Sequence, residues 1–180
     1  MHSRVFKIYI PEKEELKDEK KIKENISEVI GLIIEEDMID LKGLTGMDWF
    51  DSTSNEQFKE DIDWLISAYT NSSKKEHKIN KNNFIEVDGQ PIYELKGEEF
   101  EKLRDAIKEE LNRRVKEVEE MFKQKNKNAF WFWNAAKTLY PRNGFLFYID
   151  EYGLVNDVEF YFAIKDADRI YIVESYDYHF

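Results

Sequence analysis

Apolar and polar positions alternate with period two over residues 4–10, with Val5, Lys7 and Tyr9 on one side and Phe6, Ile8 and Ile10 on the other. Pro11 ends the run, so the pattern predicts a strand. The period then changes. Ile22, Ile26, Val29, Ile30, Ile33 and Ile34 fall on the i, i+4, i+7, i+8, i+11, i+12 stripe of an amphipathic helix, predicted over 18–36. Residues 43–51 break that stripe. Thr53 with Glu56, or Ser54 with Gln57, then offers a capping box for a second helix over about 55–70, with Phe58, Ile62, Leu65, Ile66 and Tyr69 on its apolar side.

Residues 71–82 are almost wholly polar and read as an exposed, flexible loop. Beyond them, two short apolar runs flank Asp88-Gly89, a pair suited to the positive φ angles of a tight hairpin turn, and Pro91 argues for an edge position of the second strand. Residues 97–126 predict a long helix with the stripe Phe100, Leu103, Ile107, Leu111, Val115, Val118 and Phe122. Its spacing is that of a straight helix laid on a sheet rather than a supercoil. A short helix over 128–140 precedes three runs, 145–150, 154–164 and 169–176, that read as consecutive strands of an antiparallel meander. In the middle run Val158, Phe160, Phe162 and Ile164 share one face. The last third of the chain holds 16 of its 27 aromatic residues, as a sheet core would. Strands grouped apart from helices predict an α+β class, with three to four helices packed on a largely antiparallel sheet.

At 180 residues the chain suits one domain, 1–180, able to bury about 70% of its unfolded surface. With no cysteine, disulfides, thiol nucleophiles and cysteine-ligated metals are excluded. Neither an apolar leader nor a run of membrane-spanning length occurs, which points to a cytoplasmic protein with no membrane partner.

Candidate chemistry is sparse. His2, His77 and His179 are scattered, and neither phosphate-binding glycine loops nor a nucleophile elbow is present. Asp48 with Asp51, and Glu174 with Asp177 and His179, are the compact groupings from which a Mg²⁺ site or an acid–base pair would be built. The run Phe130-Trp131-Phe132-Trp133 reads as core packing before it reads as a stacking platform for sugars or bases. Arg113, Arg114 and Lys116 are balanced by Glu109, Glu110, Glu117, Glu119 and Glu120, the pattern of a salt-bridged helix face.

Charge is the strongest remaining signal. The net value is −11, and the window 35–63 alone holds ten acids against Lys42 and Lys59. Phosphate-backbone binding is disfavoured by such a balance. Glu35, Glu36, Asp37, Asp40, Asp48, Asp51, Glu60 and Asp63, with Trp49 as an aromatic anchor, instead suit a basic protein partner, because the charges steer encounter and a desolvated ring supplies affinity. The expectation is a small, non-enzymatic binding protein of immunity or inhibitor type that needs no cofactor or metal. The rival reading is a carboxylate-based hydrolase or transferase, with or without Mg²⁺. A third is self-association through a sheet face bearing Tyr161 and Tyr171.

Overall fold

The computed structural model describes residues 2–32, 49–70, 79–124, 128–139 and 144–179. Strand β1 (His2–Tyr9) leads through a short 3-10 turn at Glu15–Lys17 into helix α1 (Glu19–Gly31). Asp18 caps α1 by accepting from the Lys20 and Lys21 N–H groups, and the stripe Ile22, Ile26 and Val29 is buried. The part of the predicted helix from residue 33 lies outside the described residues.

Strand β2 (Trp49–Ser52) and helix α2 (Asn55–Thr70) follow, then β3 (Phe84–Val87) and β4 (Gln90–Lys96), turned at Asp88 and Gly89 with φ of 51° and 78°. Helix α3 (Gly97–Phe122) buries Phe100, Leu103 and Ile107. Helix α4 (Ala129–Leu139), the strands β5 (Phe145–Ile149) and β6 (Gly153–Val155), helix α5 (Asp157–Ile164) and strand β7 (Arg169–His179) complete the described elements.

The sheet runs β3-β4-β7-β1-β5-β6, with β2 also on β7, and is antiparallel except where β1 lies parallel to β5. It carries helices on both faces. Alternation along β1 sends Phe6 and Ile8 into a core with α2, α3 and α5, and sends Val5 and Tyr9 toward the α1 side. Phe147 of β5 stacks on Phe160 of α5 at 3.8 Å, and Phe145 meets Trp64 of α2 edge-on at 4.8 Å.

Two predicted features change. The run 154–164 is a short strand followed by a helix, because Asn156 accepts from the Val158 and Glu159 N–H groups while Glu159 accepts from the Asn156 N–H. That box starts a helix which buries Asp157, Phe160 and Ile164 at helical spacing. There is accordingly no three-strand meander: β7 passes through the sheet interior between β4 and β1. Tyr161 therefore sits on a helix and Tyr171 is buried, so the proposed tyrosine-bearing sheet face does not exist. Similarly, β4 is interior and β3 is the edge. Pro91 is tolerated because it pairs only with Glu86 of β3, the β7 pairing beginning at Tyr93.

Charged side chains stitch the layers. Lys7, fully buried, donates to the Ile30 and Leu32 carbonyls at the end of α1 (3.2 and 2.8 Å) and to Glu174 at 2.9 Å. Arg4 pairs with Asp61 of α2 at 2.8 Å and with Asp177 of β7. Arg113 bonds Glu110 and Glu117 on the helix surface as predicted, but Arg114 turns inward, 1% exposed, to meet Asp157 of α5 at 2.6 Å.

Candidate functional site

A cleft of about 490 Å³ lies beyond the carboxyl ends of β1 and β5, the parallel pair. The topology explains its place. After Tyr9 the chain leaves for α1 on one face of the sheet, whereas after Ile149 it turns through β6 to α5 on the opposite face. Adjacent parallel strands whose continuations diverge leave a crevice between them, the usual location of ligand sites in open sheets.

Tyr9, Glu15 and Asn25 form the ordered floor. The Tyr9 hydroxyl donates to Glu15 Oε2 at 2.8 Å and accepts from Asn25 Nδ2 at 3.0 Å. Asn25 also donates to Glu15 Oε1 at 2.7 Å, the Glu12 backbone N–H reaches Oε2 at 3.0 Å, and Lys21 stands 3.2 Å from Oε1. Burial pushes the Glu15 carboxyl up, but the donors from Tyr9, Glu12, Lys21 and Asn25 outweigh it and hold the group below the usual glutamate range. Burial and the neighbouring Glu15 charge push the Tyr9 hydroxyl upward. Glu15 is thus a fixed anion and Tyr9 a fixed donor.

Around this floor the lining includes exposed Glu12, Glu28, Asp150, Glu151 and Asp166, with Lys13 the one basic member among the described residues. Tyr152 stands at the rim, 62% exposed. The set is suited to a cationic group: excess negative charge at the mouth, an aromatic edge, and a preorganised polar floor. Among the described residues, no group of three or more histidines and carboxylates is arranged to hold a metal ion.

The acidic window predicted from sequence is only partly described. Glu35, Glu36, Asp37, Asp40 and Asp48 lie outside the described residues, and Trp49 opens β2, its backbone paired with His179. Asp51 and Glu60 are exposed on β2 and α2, and Asp63 is partly buried. Asp61, counted within the window, is an interior group bonded to Arg4, Gln57 and Ser175. The window therefore includes one structural anion.

Of the carboxylate groupings, Asp48 is outside the described residues. Glu174 and Asp177 point to opposite faces of β7, one to Lys7 and Tyr176 on the α1 side and the other to Arg4 on the α2 side, and they do not converge. The run 130–133 is also corrected: Trp131 is buried, while Phe130, Phe132 and Trp133 are exposed.

The cleft itself was missed in the sequence. Its local signal was the same at both strand ends, an apolar strand running into acids at Ile10-Pro11-Glu12 and at Ile149-Asp150-Glu151. Nothing local shows that the two ends, some 140 residues apart, lie side by side. Comparisons with protein-family models, curated proteins and solved structures find no match for the chain.

Proposed function

We propose that this protein is an acidic binding protein of inhibitor or immunity type, which docks a basic protein partner and takes a lysine or arginine of that partner into the cleft between β1 and β5. One observation carries the reading: among the described residues this cleft is lined by six carboxylates and one lysine, and the carboxylate in its floor is held ionised. The exposed acids Asp51 and Glu60 extend the negative surface elsewhere on the molecule and favour encounter with the same partner. The absence of cysteine suits a cytoplasmic setting for that encounter. Among the described residues, no helix is long and apolar enough to cross a membrane.

The test is affinity capture at low and high salt with three baits: the wild type, Asp150→Lys/Glu151→Lys/Asp166→Lys in the cleft, and Glu101→Lys/Glu109→Lys/Glu119→Lys on the exposed side of α3. A basic protein retained by the wild type and the α3 variant, and lost in salt or with the cleft variant, supports the reading. Equal loss with both variants reduces the cleft to general electrostatics and contradicts it.

A further inference from the structure

Helix α4 presents an unusual outward face. At 100° per residue, Ala129, Phe130, Phe132, Trp133, Ala136 and Lys137 share one arc, and all six are exposed. Phe130, Phe132 and Trp133 are 66%, 58% and 56% exposed. The opposite side anchors the helix: the Trp131 indole N–H donates to the Met121 carbonyl at 2.9 Å, and its ring meets Phe122 edge-on at 4.8 Å. Large rings clustered on the outside of a packed helix mark a contact surface.

Charge identifies what covers it. In a chain of net charge −11, the stretch 121–149 carries five basic residues and no acid. At the adjoining end of α3, Glu117 is engaged by Arg113 and Glu120 by Lys123, and the charge of exposed Glu119 acts on the same lysine. The occupant is therefore anionic and has an apolar layer to receive rings. Lipid surfaces and unstacked nucleobases both meet that description, and ring geometry separates them. Phe130 stacks on Trp133 at 6.0 Å, and the Lys137 ammonium lies 4.9 Å from the same Trp133 ring. Base stacking needs an open ring face, which Trp133 has given to its own helix neighbours. Insertion into a headgroup layer needs exposed rings with a cation beside them, and Trp133 with the adjacent Lys137 ammonium supplies both.

We infer that α4 is a surface-binding element for anionic phospholipid bilayers, with Phe130, Phe132 and Trp133 seated in the interfacial layer and Lys137 against lipid phosphates. Lying on a bilayer needs no spanning segment, so the lack of a long apolar run in the sequence does not bear on it. The overall negative charge does not prevent contact, because repulsion from distant acids is screened beyond about 8 Å at physiological ionic strength. The inference is independent of the cleft.

The experiment is co-sedimentation of the full chain with vesicles of mixed phosphatidylglycerol and phosphatidylcholine, and with phosphatidylcholine alone, while tryptophan emission is followed. Binding to the mixed vesicles with a blue shift is expected, together with weak binding to the neutral ones. Phe130→Ser/Trp133→Ser abolishes it. Lys137→Gln weakens it about fivefold. All three side chains are exposed, so circular dichroism and the urea midpoint should stay at wild-type values, and the lysine variant leaves the rings intact should the ring variant misfold. Equal binding to both vesicle types, or to neither, overturns the inference. So does tight binding of single-stranded oligouridylate lost in the same variants, or dimerisation through the rings without lipid binding.

Discussion

Replacing Lys7 by Met removes the fully buried ammonium that joins β1, β7 and the end of α1 while keeping side-chain volume. The ammonium donates to two carbonyls at the negative end of the α1 dipole and to Glu174, whose side chain is 21% exposed and retains the Tyr176 hydroxyl. Stranding a buried partner costs about 3–5 kcal/mol, and each carbonyl deprived of its donor adds about 1 kcal/mol. Residual solvation of Glu174 and its bond from Tyr176 lower the first figure, so the net loss should be about 4 kcal/mol. For a chain of this length the melting temperature should fall by about 8–16 °C. Urea unfolding is the assay, with an unchanged slope confirming that the native state alone is affected. Lys7→Met/Glu174→Leu should recover about half of the loss, because the stranded carboxylate goes while the carbonyls stay unpaired. A single variant within about 1 kcal/mol of wild type, or a double variant no more stable than the single, would refute the reasoning.

Three further outcomes follow from the packing and charges. Phe160→Ala should cost about 3–5 kcal/mol in urea unfolding, because the ring is fully buried and stacked on Phe147. Asn156→Ala should cost about 1 kcal/mol and lower helix content, whereas a strand at this position would be indifferent to losing the cap. Glu15, Glu94 and Glu110 are each pushed up by burial but held below the usual range by their donors. With folded values depressed, their stabilisation is full above the unfolded value of about 4.3 and is lost as pH falls through the folded values. Unfolding followed against pH should therefore show wild type and Glu15→Gln converging in acid.

Legibility in the sequence tracked locality. The helices α1, α2 and α3 and the Asp88-Gly89 hairpin were readable because each is written within a few turns of chain, but the α3 stripe is buried only at Phe100, Leu103 and Ile107, while Val115 and Phe122 are exposed. Residues 157–164 were misread because a nearly continuous apolar run fits either period, and the deciding mark was the Asn156–Glu159 cap rather than the apolar spacing. The position of β7 and the parallel pairing of β1 with β5 leave no local trace, since they are settled by which layers bury together. The candidate site depends on that pairing. Its acids were visible in the sequence as ordinary strand-end residues, and only the fold makes them one lining. Burial was equally opaque: Arg114 lies within a run of surface charges yet is interior, and Phe132 lies within an aromatic run yet is exposed.

The central claim is that the crevice at the ends of β1 and β5 selects a cationic side chain, and its most direct test is an amide NMR titration of the isotopically labelled protein with a short oligolysine peptide. Saturable shifts centred on Lys13, Asn25 and the turn at Asp150, Glu151 and Tyr152 are expected, abolished in Asp150→Lys/Glu151→Lys/Asp166→Lys. Shifts of equal size along the acidic outer side of α3, persisting in that variant, would contradict it.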